Sequence, residues 1–452
     1  MTMNWEQLLS NKRFGQEEGA SRRDDRSEFQ RDFDRLIFSA PFRRLQNKTQ
    51  VFPLPGSIFV HNRLTHSLEV SSVGRSLGND VSRELLRRHP ELHATNVPEM
   101  GSIVSAACLA HDMGNPPFGH SGESAIGTFF SEGPGRYLRS TVCAETGDGL
   151  SESQWNDLIH FEGNANAFRL LTHQFVGRRR GGFVMTYATL ASIVKYPYCS
   201  TLSGKKGKFG FFQSEQEDFC RIARELGIPQ LESPEGTVRF ARYPLVYLVE
   251  AADDICYEIM DIEDAHKLKI LSTEEAKGLL MAFFLPERLE SIQEHLSELE
   301  DVNEQIVYLR SIAIGALEQE CVRVFVENED KILNGEFRGS LIDHVHPTLR
   351  AAYKACVRTA FAKIYHAQSV VDIEISGYKV MSQLLELMCQ AVMHSDNTYS
   401  KILLNRVSPQ YNVLAPTLYE RLLSVLDYIS GMTDVFALDL YRKINGISIA
   451  TV

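Results

Sequence analysis

Three short stretches of the chain carry side chains whose types and spacing could do chemistry. The densest is Ala110-His111-Asp112-Met113-Gly114-Asn115-Pro116-Pro117-Phe118-Gly119-His120. An apolar run (Ile103, Val104, Ala106, Ala107, Cys108, Leu109) leads directly into His111 and Asp112, and Gly114 with two prolines ends the helix it predicts. An imidazole and a carboxylate therefore emerge at the end of a buried helix. An ionised aspartate left uncompensated there would cost several kcal/mol, so a cation or a set of hydrogen bonds must meet it. The dipeptide alone serves a hydrogen-bonded structural pair equally well.

The second stretch is Arg63-Leu64-Thr65-His66-Ser67-Leu68-Glu69-Val70. His66 shares a helical stripe with Val70, Val73 and Leu77 and so points inward, with Arg63 one turn earlier on nearly the same face. By itself His66 reads as a satisfied core histidine. In the third stretch Asp253, Tyr257 and Asp261 fall at i, i+4 and i+8, one polar ridge on a helix whose flanks (Leu245, Leu248, Val249, Ala252, Ile255, Ile259) are apolar. Together His66, His111, Asp112 and Asp253 offer two nitrogen and two oxygen donors from three helices. That set suits one divalent ion (Mn²⁺, Mg²⁺, Fe²⁺, Ni²⁺ or Zn²⁺) with coordination positions left for water and substrate oxygens. Two aspartates and one dication sum to zero charge, so the site accepts a phosphate ester once basic side chains come from elsewhere.

The elements that must position these groups are helices. Apolar residues recur at three- and four-residue spacing over 63–88, 101–111, 164–176, 214–226, 241–262, 273–284 and 286–300, and further helices are expected at 304–328, 347–364, 374–393 and 415–429. Alternating strand patterns are nearly absent, apart from VFPLPGSIFV at 51–60, which reads as a short β-hairpin around a Pro-Gly turn. The fold class is mainly α, with a helical catalytic core at 50–270, an N-terminal extension at 1–49 and a C-terminal helical region at 271–452 packed on the core. Loops fall at 131–152, 177–183 and 200–212; Lys205, Lys206 and Lys208 in the last read as a solvated face.

Composition narrows the function classes. With 452 residues, 44% hydrophobic and 23% charged, the chain can bury a large core and is not a disordered protein. Lys and Arg number 47 against 58 Asp and Glu, a formal charge of −11, which gives no general attraction to nucleic acid or anionic membranes. The eight cysteines are scattered without a C-x-x-C pair, as reduced core thiols are, and the longest apolar run, Leu279 to Leu285, is far short of a membrane span. The N-terminal residues lack the apolar segment of a signal peptide, so a cytoplasmic location is expected.

A histidine, a His-Asp doublet and a distant aspartate, in that order, resemble the pattern of the HD-domain metal-dependent phosphohydrolases. Within them the surrounding blocks are similar to the deoxyguanosine triphosphate triphosphohydrolase (dGTPase) family: FDRLIFSAPFRRLQNKTQVFP (33–53), HNRLTHSLEV (61–70), LAHDMGNPPFGHSGE (109–123), HFEGNANAFRLL (160–171), TLASIVKYPY (189–198), EAADDICYEIMDIEDA (250–265) and DYISGMTDVFALDLYRKING (427–446). These blocks span nearly the whole chain.

The resemblance implies an HD-domain helical fold and cleavage of a deoxynucleoside triphosphate between the sugar oxygen and the α-phosphorus, releasing deoxynucleoside and tripolyphosphate. It implies His66, His111, Asp112 and Asp253 as ligands of one metal ion per subunit, with Mn²⁺ or Mg²⁺ the first expectation, and His120 and Glu123 as the catalytic pair. The residues agree: His120 precedes a helix expected from about Ser121, and Glu123 lies in its first turn. Glu123 there could equally do no more than complement the helix dipole. The family pattern also maps sugar and 3′-hydroxyl contacts onto Gln50, Tyr257 and Asp261, and triphosphate contacts onto Arg63, Lys195 and Tyr196. Asn164 is carried over less specifically, since a helix N-cap role explains it as well. A homo-oligomer, often a hexamer in the family, is implied too. Asn115 is a departure, standing where animal members of the wider group have a catalytic histidine, which leaves His120 as the acid/base candidate. The competing functions are an HD phosphohydrolase acting on another nucleotide and a catalytically quiet nucleotide sensor; the complete set of ligands with His120 and Glu123 weighs against the second.

Overall fold

The computed structural model describes residues 2–16, 25–52 and 60–448. Helices account for its architecture, and among the described residues strand-like pairing is confined to isolated bridges such as Thr49–Asn62. The fold is mainly α, as expected. The hairpin expected at 51–60 lies for the most part outside the described residues. Twelve helices frame the site: α1 (Glu28–Ile37), α2 (Arg63–Arg88), α3 (Met100–Ala110), α4 (Gly119–Ser131), α5 (Glu152–Ile159), α6 (Gly163–Thr172), α7 (Tyr187–Ile193), α8 (Val246–Lys267), α9 (Val302–Glu327), α10 (Gln368–Met393), α11 (Leu418–Ser430) and α12 (Asp434–Ile444).

The start of α2 is fixed by its own sequence. The Asn62 side chain accepts from the Leu64 and Thr65 amides, and the Thr65 hydroxyl accepts in return from the Asn62 amide, which satisfies donors a helix N-terminus otherwise leaves open. The stripe Arg63, His66, Val70, Val73, Leu77, Val81 and Leu85 is buried along its whole length. That face lies on α3, which is buried almost all round, and two glycines permit the approach: a Cβ on Gly78 would come within 2.8 Å of the Gly101 Cα, and one on Gly74 within 2.5 Å of the Cys108 sulfur. Helix α8 packs across α2 and α3, and α9 backs α8 and α2. Three helices thus converge with His66, His111–Asp112 and Asp253 at their meeting point.

A second apolar cluster joins α4 and α5 to α10, α11 and α12 through Phe129, Phe130, Trp155, Leu384, Leu422, Leu426 and Leu440. Each such side chain removed from water stabilises the packing by about 1.5–3 kcal/mol before ordering costs. Between the clusters Arg169 of α6 is buried with its guanidinium 2.7 Å from Asp427 of α11 and 2.5 Å from Glu215. The C-terminal helices are therefore tied by charge as well as by apolar contact to the segments that line the site. All eight cysteines are free thiols, seven of them buried. Among the described residues no helix is long and apolar enough to cross a membrane.

Candidate active site

At the end of α3, His111 Nδ1 donates to the Cys108 carbonyl at 2.6 Å, which leaves the lone pair on Nε2. That Nε2 atom is buried and has no hydrogen-bond partner. It lies 3.5 Å from Asp253 Oδ1 and 3.7 Å from Asp112 Oδ1, while His66 Nε2 lies 3.1 Å from Asp253 Oδ1. Ligands at right angles around a Mg²⁺- or Mn²⁺-sized ion stand roughly 3 Å apart, close to the spacing of Asp253 Oδ1 from the two imidazoles. His66, His111 and Asp112 form a cluster whose donor atoms lie mutually within 4.8 Å and could hold a metal ion; Asp253 stands outside that cluster. The field also favours positive charge: burial alone would depress His111, but Asp112 and Asp253 outweigh it and lift the imidazole to about 9. Burial would raise both carboxyls; Arg63, His111 and His66 hold Asp112 low, and His111 and His66 hold Asp253 well below the usual range.

The buried Arg63 guanidinium meets Asp112 Oδ2 at 2.8 Å, and the Asn115 side-chain amide donates to Asp112 Oδ1. Asn115 thus fixes the orientation of the Asp112 carboxylate, as the outer partners of metal sites do for their ligands.

The turn after the two prolines is left-handed at two successive residues, Phe118 (φ 63°) and Gly119 (φ 57°). A side chain on Gly119 would press to 2.4 Å from the Arg63 guanidinium, so both the backbone and the space there require glycine. Helix α4 begins at Gly119, two residues earlier than expected, and brings His120 out with an exposed side chain over its buried partner. His120 Nδ1 and Glu123 Oε2 are 2.9 Å apart, and Glu123 Oε1 accepts from the Gly163 amide at 2.7 Å. The hydrogen bond and charge of Glu123 raise His120 above an ordinary histidine. Burial would lift Glu123, but His120, Lys208 and the Gly163 amide hold it low. Glu123 therefore does more than complement a helix dipole.

These groups open into one cavity of about 250 Å³, lined by Gln50, Arg63, His111, Asp112, His120, Glu123, Asn164, Lys195, Tyr196, Asp253 and Tyr257 among the residues singled out in the sequence. His66 lies behind Asp253. Asp261 is not brought to the wall: its carboxylate is buried and accepts from the Tyr365 hydroxyl at 3.0 Å. Asn164 is not the N-cap of α6; that is Glu162, whose carboxylate accepts from the Asn164 and Ala165 amides at 2.7 and 3.2 Å. Lys208 is not part of a solvated face either. Its ammonium lies 2.8 Å from Glu162 and 3.8 Å from Glu123, on the cavity wall. Sequence reasoning also missed Asp254, Glu258 and Tyr353 on the wall, although the first two share a helix with Asp253. Burial lifts Asp254 to about 8 and Glu258 to about 7, so at neutral pH Asp254 is mostly protonated and Glu258 about half, which lessens their opposition to Arg63, Lys195 and Lys208. A larger cavity of about 450 Å³ lies elsewhere, around Arg169, His173 and Asp427, and holds none of the candidate metal ligands.

Comparison with known proteins places this geometry. Residues 63–149 match the HD domain and residues 344–443 match the phosphohydrolase-associated domain. A deoxyguanosinetriphosphate triphosphohydrolase-like protein of Pseudomonas aeruginosa is 38% identical over 460 residues, 99% of either chain. One of Synechocystis sp. is 39% identical over 462 residues, 99% of this chain and 100% of its own. A deoxyguanosinetriphosphate triphosphohydrolase of Yersinia enterocolitica is 29% identical over 487 residues, 92% and 93% of the two chains. With the metal-binding cluster inside the HD match and likeness along the full length, the chain belongs to the deoxyguanosinetriphosphate triphosphohydrolase-like family of HD-domain phosphohydrolases.

Proposed function

We propose that the protein is a metal-dependent triphosphohydrolase of deoxynucleoside triphosphates, dGTP first among them, yielding deoxynucleoside and tripolyphosphate. The observation that carries this reading is the His120–Glu123 pair opening into the same cavity as the metal-binding cluster and three cationic side chains, Arg63, Lys195 and Lys208. His66, His111, Asp112 and Asp253 would hold a divalent ion, which would supply Lewis-acid polarisation of a phosphoryl oxygen and lower the pKa of the attacking water. The three cations bind and orient the triphosphate, Lys195 from its place 3.2 Å from Glu250. Water oxygen bonds to the α-phosphorus and releases a proton to solvent, the bond from phosphorus to the sugar 5′-oxygen breaks with its electron pair on that oxygen, and His120 delivers the proton from Nε2 to it and is reprotonated from solvent. Glu123, accepting from Nδ1, keeps the imidazole protonated and fixed for that transfer.

At the sugar end, the Tyr257 ring closes the space a 2′-hydroxyl would need, and Gln50 Oε1, buried without a partner, is free to accept from the 3′-hydroxyl. Asp261 contributes behind them by holding Tyr365, whose ring centre lies 6.4 Å from that of Tyr257. The reading includes a homo-oligomer in the cytoplasm, a hexamer being the assembly expected, and light scattering on the purified chain measures its size. The reading is tested by incubating the protein with each of the four dNTPs and with GTP, in Mn²⁺ or Mg²⁺, and separating the phosphate products. Tripolyphosphate from a dNTP and little from GTP is expected; orthophosphate, pyrophosphate or no product overturns it.

A further inference from the structure

The corner between α11 and α12 reaches back to the active site at both ends of the loop that carries Asp112 to His120. At one end the buried Lys48 ammonium donates to the Ser430 carbonyl at 2.8 Å and to the Asn115 carbonyl at 2.5 Å. At the other, Asp434, in the first turn of α12 and 6% exposed, accepts from the Phe118 amide through Oδ1 at 2.9 Å and from the Thr49 amide through Oδ2 at 2.8 Å. Helix α12 does not need that carboxylate for its own start, because Thr433 caps it by accepting from the Phe436 amide at 3.1 Å. Both oxygens of Asp434 are spent on backbone next to the cavity lining: Thr49 precedes Gln50, and Phe118 stands two residues before His120. Phe118 holds a left-handed conformation unfavourable to a residue with a side chain, so something outside the turn must stabilise it. Its ring is held from the other side by α10, where a Cβ on Gly377 would come within 2.7 Å of the Phe118 Cβ and Cγ.

We propose that Asp434 is a positioning residue for His120, holding through the Phe118 amide the left-handed turn from which α4 starts, with Gly377 as the opposing stop. This rests on the reading of His120 as the proton donor. It gives the phosphohydrolase-associated region a part in catalysis: its helices set where the acid stands, while the metal ligands are set by α2, α3 and α8.

Three full-length variants, Asp434→Asn, Asp434→Ala and Gly377→Ala, test it. The last pushes on Phe118 without changing charge, and carries the test if loss of the carboxylate impairs folding. Three readouts are needed: Mn²⁺ affinity by titration calorimetry, the His120 titration by NMR of histidine-labelled protein assigned with His120→Ala, and kcat and KM on the best dNTP. Mn²⁺ affinity is expected to stay at the parent value, kcat to fall on the order of 10- to 100-fold with a smaller change in KM, and the His120 titration to move down toward an ordinary histidine. A kcat and a His120 titration at parent values, or Mn²⁺ affinity lost in step with kcat, overturns the proposal. If the parent protein releases no tripolyphosphate, the functional reading fails, and the His120 titration still decides whether Asp434 positions that side chain.

Discussion

Replacing Glu123 with glutamine changes one charge and keeps the shape. The glutamine oxygen can still accept from the Gly163 amide, so the contact between α4 and α6 survives. What is lost is the carboxylate 2.9 Å from His120 Nδ1. A hydrogen bond between charged partners is worth roughly 1.5–3 kcal/mol. The His120 side chain is 71% exposed, so solvent screening cuts that to about 1 kcal/mol, roughly fivefold in the protonated population on the alkaline side. Loss of the fixed imidazole orientation adds to this. The ceiling is the full contribution of a general acid, on the order of 10²–10⁴, which His120→Ala removes. Glu123→Gln should therefore lower kcat by roughly 10- to 100-fold, between those limits. The sign of the pH effect follows from Glu123 raising His120: the parent keeps its proton donor to a higher pH than a free histidine would, and the variant loses it earlier as pH rises. In kcat measured against pH at saturating dNTP and Mn²⁺, the alkaline limb of the variant must lie at lower pH than that of the parent. Mn²⁺ binding should persist in Glu123→Gln and His120→Ala and be lost in Asp253→Ala. An alkaline limb that stays in place would refute the assignment of His120 as the acid held protonated by Glu123.

Three further outcomes follow from individual contacts. Tyr257→Ala opens the space beside the sugar and should cut the preference for dGTP over GTP, measured as a kcat/KM ratio, by at least about tenfold; an unchanged ratio places ribose exclusion elsewhere. Arg169→Met leaves Asp427 and Glu215 buried without their cation and should cost about 3–5 kcal/mol in urea unfolding, whereas a loss under about 1 kcal/mol would show that the C-terminal helices do not depend on this link. Burial lifts Asp157 to about 7, so the native state keeps a proton that the unfolded chain gives up near pH 4. Stability should fall as pH rises between about 4 and 7, and Asp157→Asn should flatten that slope in thermal melts; an equal slope in both proteins contradicts the burial argument.

The parts of the molecule legible in the sequence are those in which one helix carries its own signal. Helix α2 was predicted at 63–88 and is found at those residues because an amphipathic stripe and a side-chain cap both mark it. Helix α7 carries the cap, Thr186 accepting from the Thr189 amide, but no stripe, since seven residues buried on every side show no periodicity. Helix α1 is marked by the Ser27 to Gln30 capping box, with Phe29 and Leu36 buried behind it. In the site, His66, His111 and Asp253 could be assembled from inward-facing positions on three helices. Lys208 could not: it sits in a loop among other lysines, and its partner Glu162 is 46 residues away. The same holds for the reach of Asp434 to Phe118 across 316 residues, which only the packing of α12 against the loop brings about. Asp261 was placed by helical spacing on the ridge of Asp253 and Tyr257, but α8 is covered there by the segment carrying Tyr365, which takes its carboxylate out of the cavity.

The central claim is that water attacks the α-phosphorus of a deoxynucleoside triphosphate and the sugar oxygen leaves. Turnover of dGTP in ¹⁸O-enriched water, followed by ³¹P NMR and mass spectrometry of both products, tests it most directly. Intact tripolyphosphate with one ¹⁸O on a terminal phosphorus and a deoxynucleoside without label are expected. Label in the deoxynucleoside, or pyrophosphate and orthophosphate in place of tripolyphosphate, would contradict it.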